Sequence, residues 1–294
     1  MRRYDCTLYD NSDAELDRLE GDLKKVPTRY KALYLEFPGN PLLGSPNIVR
    51  IHALSRQYNF AIILDDTIAT SVNLDLLPYT DTVCTSLTKM FSGGCNVMGG
   101  SITLNHKSPH YHTFSHKLAA TKVDSYFPSD VLIMAQNSRD FPSRVHKASQ
   151  TASLIATQLR CHPHVLQVFY PEGSDSQPYY DLHKRAHGGY GFLLSIKFVS
   201  PSSAIAFYDA LAVAKGPSLG TNFTLACAYT LLAHAKELEW AAEYGVDEYL
   251  VRISVGIEER EVVEGVVKAA LQALEMVGER GGGEGGWHRG GARI

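Results

Sequence analysis

The chain has 294 residues, enough for about two domains of ordinary size rather than one small module. Hydrophobic residues make up 45% and charged residues 20%, a balance that excludes disordered, collagen-like and disulfide-stapled chains. The 28 basic side chains are offset by 31 acidic ones, and a net charge of −3 provides no positive field for a nucleic acid backbone.

The cysteines and the apolar runs indicate the compartment. The five cysteines are widely spaced and form no C-x-x-C pair, so they predict neither a disulfide framework nor a thiolate zinc site. No apolar segment follows the basic N-terminal residues, and no apolar run approaches the 18 residues of a membrane span. We therefore expect a soluble, cytoplasmic protein without a membrane partner.

From residue 31 to residue 105, short apolar runs alternate with amphipathic stretches, the pattern of βαβ units with a parallel sheet. A helix is predicted over 47–58, because its apolar positions recur at helical spacing. That predicted face consists of Ile48, Ile51, Leu54 and Ser55. Strands are predicted over 32–37, 60–64, 82–85 and 101–104. A mostly helical stretch from 108 to 159 follows and is predicted to join two domains.

The second half predicts strands over 189–199 and 249–255 and a helix over 259–274. The apolar side of that helix consists of Val263, Val266, Val267, Ala270, Leu271 and Leu274. Strands and helices no longer alternate regularly, which indicates an α+β domain. Residues 278–294 hold eight of the 24 glycines and are predicted to be disordered. The predicted units are therefore 1–145, 146–277 and the tail 278–294.

The most informative segment is Ser86-Leu87-Thr88-Lys89, which follows a predicted strand and precedes the glycine-rich loop 92–100. A lysine at the carboxyl end of a parallel sheet lies where such folds bind ligands, and hydroxyls with glycine amides can hold a phosphate. Asp65 ends the preceding strand and could keep a pyridine nitrogen protonated. Taken alone, each has an ordinary alternative: a solvated lysine, or an Asx turn at Asp65.

Other clusters point less clearly to chemistry. The histidines at 106, 110, 112 and 116 have no carboxylate or thiolate among them, so a solvated helix is predicted rather than a metal site. Cys95 is interpreted as a packing residue in the loop after Lys89. Trp240 lies in a helical run and is interpreted as a core or interface residue.

Four motifs occur in a fixed order along the chain. They are EFPGNP at 36–41, LDDT at 64–67, SLTK at 86–89 and LVRISVGIE at 250–258. Their order and spacing resemble those of the Cys/Met-metabolism family of pyridoxal-phosphate enzymes. The variants EFPGNPLL, DDT in place of the more usual DNT, and NSRDF at 137–141 are similar to fungal cystathionine gamma-synthase-like proteins.

This resemblance extends from near residue 10 to about residue 276 and implies the fold. The expected fold is α/β, of fold-type I (aspartate aminotransferase-like), with a mostly parallel sheet between helices and an α+β C-terminal domain. The implied cofactor is pyridoxal 5'-phosphate. The intact family forms dimer-based tetramers, so the resemblance also implies a homo-oligomer.

The resemblance assigns five residues to the cofactor. Lys89 matches the lysine that holds the cofactor covalently, and Asp65 matches the acid paired with the pyridine nitrogen. Asn40 matches an amide at the ring oxygen, while Ser86 and Thr88 match hydroxyls on the phosphate. Because an amine must be deprotonated to attack an aldehyde, a desolvated site should lower the pKa of Lys89 below its ordinary value of about 10.4.

Two further residues are assigned to the amino-acid substrate. Arg252 matches the arginine that takes the α-carboxylate, and Ser218 matches a position that lines the same pocket. The implied reaction is a γ-replacement that joins cysteine to an activated homoserine ester. γ- or β-elimination, or γ-replacement with another nucleophile, would use the same motifs. An inactive chain that serves only as an oligomerisation partner is the alternative from a different class.

The chain departs from the family ahead of Glu36. Relatives have there a Tyr-x-Arg phosphate clamp, a Ser-Gly-Met loop and a tyrosine stacked on the cofactor ring, and none of these appears here. Charge-assisted hydrogen bonds are roughly twice as strong as neutral ones, so we expect weaker cofactor binding. We also expect open sheet edges and exposed apolar surface.

Overall fold

The computed structural model describes residues 6–279, and each half of the chain contains one β-sheet. The strands of the first sheet are β1 (Ala32–Glu36), β2 (Ala61–Asp65), β3 (Thr82–Ser86) and β4 (Gly100–Leu104). Their order is β1-β2-β3-β4, with the first three parallel and β4 antiparallel to β3. All four predicted strands are confirmed close to their predicted positions.

Five helices of the described residues accompany this sheet. They are α1 (Asp13–Lys25), α2 (Ile48–Tyr58), α3 (Thr70–Asn73), α4 (Tyr111–Thr121) and α5 (Pro128–Asn137). Of these, α2 and α4 contact its strands. The buried residues of α2 are those predicted for its apolar face, and Asn47 caps the helix by accepting the Arg50 N–H. The sequence pattern predicts no helix at α1, because its many charged residues obscure the three leucines that pack against α2.

The long helix α6 (Phe141–Arg160) connects the two halves. Its beginning packs against α3 and against the turn that follows β3, whereas its later residues pack on the second sheet. The prediction that the helical stretch 108–159 joins two structural units is consistent with this packing. The predicted boundary between residues 145 and 146 falls inside α6 and stays a prediction.

The second sheet is mostly antiparallel. Its strands are β5 (Val165–Phe169), β6 (Leu193–Phe198), β7 (Ala214–Lys215), β8 (Leu225–Ala228) and β9 (Val251–Ser254). Their order is β5-β6-β9-β8-β7, and only β7 and β8 run parallel among them. The accompanying helices are α7 (Gln177–Asp181), α8 (Pro201–Ala210), α9 (Tyr229–Ala233), α10 (Leu238–Glu243) and α11 (Arg260–Glu279). This arrangement agrees with the α+β prediction.

The predicted helix 259–274 corresponds to α11, which packs on α6 and α8. This helix extends through Gly278 and Glu279, whereas residues 280–294 lie outside the described residues, so the disorder predicted for 278–294 stays a prediction. In the first sheet β1 and β4 are the edge strands, and Tyr34 and Ile102 on them are exposed.

Among the described helices, none combines the length and the apolar character needed to cross a membrane.

Candidate active site

The residues predicted to hold a cofactor lie at one edge of the first sheet. Because β1, β2 and β3 are parallel, their carboxyl ends meet there. Asn40 lies in the loop after β1, Asp65 ends β2, and Lys89 lies in the turn 87–91 after β3. Glu36 pairs directly with Asp65 in the register of the two strands.

Lys89 contacts the second half of the chain. Its Nζ donates a hydrogen bond to Ser218 Oγ at 2.9 Å. Burial, followed by the positive charge of Arg252, lowers the pKa of Lys89. The direction agrees with the expectation for an amine that must be deprotonated to act as a nucleophile.

The turn that carries Lys89 is held by two residues for which the sequence analysis assigns no role. Gly220 has φ +68°, and a Cβ at this position would lie 2.5 Å from the Met90 nitrogen, so a side chain does not fit. Arg144 of α6 is 3% exposed and donates to the carbonyl oxygens of Met90 at 2.7 Å and Phe91 at 2.8 Å. The turn composition Pro-Ser-Leu-Gly at 217–220 indicates that Gly220 lies in a turn. Nothing in the sequence distinguishes the buried Arg144 from an ordinary exposed arginine.

The two neighbouring aspartates have different environments. Asp65 Oδ1 accepts the Thr67 N–H at 2.8 Å, which is the Asx turn considered as its ordinary alternative. Within the described residues Asp65 Oδ2 has no hydrogen bond, so this oxygen is available to a ring nitrogen. Asp66 is buried and accepts a hydrogen bond from the Thr85 hydroxyl. Burial raises the pKa of Asp66 to about 6.

The predicted phosphate hydroxyls lie beside the glycine-rich loop. The Ser86 N–H donates to the Thr67 hydroxyl at 2.8 Å, which joins the ends of β2 and β3. Thr88 Oγ1 accepts the Gly99 N–H at 3.0 Å and lies 3.3 Å from the Gly99 carbonyl oxygen. Thr88 therefore holds the loop in place, and phosphate binding by Ser86 and Thr88 stays a prediction.

Arg252 lies in β9 and is 4% exposed. Its guanidinium donates to Asn40 Oδ1 at 3.0 Å and to the carbonyl oxygens of Pro217 at 2.5 Å and Ser218 at 3.1 Å. Among residues 6–279, no carboxylate forms an ion pair with Arg252. A buried guanidinium without an acidic partner is suited to bind the carboxylate of a ligand.

The histidine cluster, Cys95 and Trp240 differ in how far they are exposed. His106, His112 and His116 are exposed, as expected for a solvated segment, whereas His110 is half-buried. Within residues 6–279, no group of three or more potential ligands could hold a metal ion. Cys95 does not pack as predicted: it lies at φ +56° at the loop tip with an exposed thiol. Trp240 is 41% exposed and is not a core residue, because the short α10 lies at the surface.

The donor set suits pyridoxal phosphate. Lys89 offers an amine of lowered pKa, Asp65 offers a carboxylate oxygen for a protonated ring nitrogen, and Asn40 offers an amide at the same edge. The hydroxyls of Ser86 and Thr88 and the glycine-rich loop 92–100 lie at the end of β3, where polar groups could donate to a phosphate. The described residues therefore fit an aldehyde-bearing, phosphorylated pyridine.

Comparison with known proteins identifies relatives along most of the chain. The family model of the Cys/Met metabolism PLP-dependent enzymes matches residues 4–272. The cystathionine gamma-synthase-like protein ankD of Aspergillus thermomutatus is 46% identical over 277 residues, which cover 94% of this chain and 49% of the relative. The cystathionine gamma-synthase of Neurospora crassa is 46% identical over 264 residues, which cover 90% of this chain and 42% of the relative.

A solved structure agrees with the fold. The cystathionine gamma synthase of Xanthomonas oryzae pv. oryzae, crystallised in complex with cystathionine, superposes with a TM-score of 0.78 at 23% identity. The superposition covers 90% of this chain and 67% of that chain. The sheet, the lysine turn at its carboxyl edge and the α+β second half thus have the architecture of fold-type I.

The chain belongs to the Cys/Met metabolism family of PLP-dependent enzymes, which confirms the resemblance found in its motifs. The cofactor of this family is pyridoxal phosphate. The chain spans about half the length of the curated relatives that it matches.

Proposed function

We propose that this chain acts in transsulfuration, as a PLP-dependent enzyme that joins cysteine to an activated homoserine ester by γ-replacement. One observation carries the proposal: Lys89 and Arg252 converge on Ser218. Lys89 Nζ lies 2.9 Å from Ser218 Oγ, and the Arg252 guanidinium lies 3.1 Å from the Ser218 carbonyl oxygen. Because a substrate amine would take the place of the Lys89 amine, Lys89 marks the position of the α-amino group. The nearby Arg252 guanidinium is suited to the α-carboxylate of the same amino acid. The relatives named cystathionine gamma-synthase support the choice of reaction.

On the cofactor side, five residues would form the binding site. Lys89 would hold the cofactor covalently, and Asp65 would keep its pyridine nitrogen protonated. Asn40 would contact the ring oxygen, and Ser86 and Thr88 would donate to the phosphate. Bound pyridoxal phosphate supplies an electron sink that stabilises negative charge at the α-carbon of the substrate.

On the substrate side, Arg252 would bind the α-carboxylate and Ser218 would line the pocket next to the amine. Once displaced by the substrate amine, Lys89 would move protons at the α- and β-carbons, a role worth about 10²- to 10⁴-fold in rate. The bond between the γ-carbon and the ester oxygen would break, and the sulfur of cysteine would bond to the γ-carbon. The products would be cystathionine and the free acid of the ester.

The assembly and the location of the enzyme are also proposals. Sites shared between subunits in the intact family support a homo-oligomer, and the five free cysteines support a reducing, cytoplasmic location. Elimination at the γ- or β-carbon would use the same residues, because it differs only in whether a thiol adds after the leaving group departs. A chain that serves only as an oligomerisation partner would not need the lowered pKa of Lys89.

The test uses the full chain incubated with pyridoxal phosphate and freed of excess by gel filtration. A visible absorption band of the bound cofactor should remain with the protein and should be absent in Lys89→Ala. Lys107→Ala, which removes an exposed lysine, should retain the band. Wild-type protein without any band would contradict the proposal.

The loaded protein is then supplied with an activated homoserine ester, with and without cysteine. Cystathionine formed only with cysteine supports γ-replacement. An oxoacid and ammonia, formed equally in both mixtures, would instead identify a lyase and overturn the proposed reaction while leaving the cofactor site in place.

A further inference from the structure

Tyr229, the first residue of α9, contacts the predicted substrate arginine. The Arg252 Cζ atom lies over the Tyr229 ring, 4.9 Å from its centroid. The Asn40 amide donates to the Tyr229 hydroxyl at 3.4 Å, and Arg252 in turn donates to Asn40 Oδ1 at 3.0 Å. Arg252, Asn40 and Tyr229 therefore form a closed triangle that joins the first sheet to the second.

The Tyr229 ring is itself held firmly. The Tyr229 N–H donates to the Leu250 carbonyl oxygen at 2.9 Å, which fixes the start of α9 beside β9. The side chain packs against a cluster whose buried members are Ala241, Val246 and Leu250. The His234 ring approaches the Tyr229 ring, with centroids 5.7 Å apart. The ring therefore cannot leave Arg252 without opening this cluster.

Tyr229 stabilises the guanidinium without neutralising it. Within the described residues Arg252 has no carboxylate partner. It donates to carbonyl oxygens and an amide oxygen, interacts with the Cys227 side chain, and lies over this aromatic face. The negative face of an aromatic ring attracts a cation most strongly where water is excluded. An acidic residue in the same place would compete with a bound carboxylate, whereas a ring leaves the positive charge available.

We propose that Tyr229 is a positioning residue for Arg252, and that its ring rather than its hydroxyl keeps the guanidinium oriented to receive an α-carboxylate. The hydroxyl contact with Asn40 is long at 3.4 Å, and Asn40 is also held by Arg252 and by Glu36. The part that concerns the α-carboxylate rests on the proposed function. The part that concerns the orientation of Arg252 stands on the geometry alone.

The first experiment is carried out without cofactor. It uses the rate of chemical labelling of Arg252 to report whether Tyr229 holds the guanidinium in place. Full-length protein is treated with phenylglyoxal, and labelling of Arg252 and of the equally buried Arg144 is followed by peptide mass spectrometry. Tyr229→Leu should label Arg252 about tenfold faster than wild type, with Arg144 unchanged, and Tyr229→Phe should stay within twofold of wild type. Equal acceleration in both variants would assign the effect to the hydroxyl. Equal acceleration of Arg252 and Arg144 labelling would show that the whole fold has loosened. Each of these two results overturns the proposal, and so does an unchanged rate of Arg252 labelling in Tyr229→Leu.

The second experiment measures the effect on a carboxylate. Cofactor-loaded protein is titrated with L-norvaline, which has no leaving group on its γ-carbon, and with L-norvalinamide, which lacks the carboxylate. The change in cofactor absorption reports binding. Tyr229→Leu should weaken norvaline about tenfold and leave norvalinamide unchanged, and an equal loss for both would overturn the proposed role. Wild-type protein that binds both equally would contradict Arg252 as the carboxylate site and thus the proposed function, while the labelling result would still decide whether Tyr229 orients Arg252.

Discussion

Replacing Asp66 by asparagine should stabilise the protein at pH 8 by about 3 kcal/mol. Burial, aided by the nearby charge of Asp65, raises the pKa of Asp66 from its usual value of 3.8 to about 6. Each tenfold change in proton affinity is worth about 1.4 kcal/mol, so ionised Asp66 costs about 3 kcal/mol in the folded state. Asparagine removes this cost and still accepts the hydrogen bond from Thr85.

The sign follows from the direction of the shift. A carboxyl whose folded pKa is raised favours folding while protonated, and this advantage is lost as the pH rises through about 6. The gain from Asp66→Asn should therefore be full at pH 8, about half at pH 5, and close to zero at about pH 3. Urea unfolding at these pH values, followed by circular dichroism, measures the free energies.

Asp81 is the matched control, because it is also buried but has the opposite shift. Burial opposes its ionisation, yet hydrogen bonds from Ser108 and the Ile62 N–H and the charge of Arg56 outweigh burial and lower the pKa of Asp81. Asp81→Asn should therefore destabilise the protein at pH 8, with the loss shrinking only as the medium becomes strongly acidic. The reasoning is refuted if Asp66→Asn destabilises at pH 8 or gives the same gain at pH 5 and pH 8.

Three further substitutions test the site. Gly220→Ala should destabilise by more than about 1 kcal/mol in urea unfolding, because its Cβ would meet the Met90 nitrogen at a positive φ; an unchanged midpoint would contradict this. Arg144→Lys should lower the free energy of unfolding by about 3 kcal/mol in the same assay, because an ammonium cannot replace the several hydrogen bonds of the guanidinium. Arg139→Lys, at an exposed position, should leave this free energy unchanged. Equal effects of the two substitutions would argue against the buried network around Arg144. Arg252→Ala should weaken L-norvaline binding by about 2 to 5 kcal/mol, measured by absorption titration, and unaltered affinity would exclude it as the carboxylate site.

Much of the fold could be predicted because its signals are local. The strand that ends at Asp65 is almost wholly apolar, and α2 shows one buried face at helical spacing. The motif around Lys89 could be found because its residues are contiguous at a strand end. By contrast, α1 is obscured by its charges, although three leucines fix it against α2.

The parts of the site that could not be predicted depend on contacts between distant segments. Arg144 lies 54 residues from Met90, and Tyr229 lies 189 residues from Asn40. Periodicity shows that a residue can face inward, but it does not show which loop the residue meets. Gly220 illustrates the same point. A side chain is excluded there by the Met90 backbone, which belongs to a distant segment of the chain.

The hydrogen bond between Lys89 and Ser218 spans 129 positions of the chain. During synthesis the lysine leaves the ribosome long before the serine and Arg252, and domains generally fold from the N-terminus as units. Until Ser218 and Arg252 are in place, Lys89 lacks both its hydrogen-bond partner and the positive charge that contributes to its lowered pKa. The lowered pKa of Lys89 is therefore a property of the completed tertiary structure, because it depends on burial and on a charge from the second half of the chain.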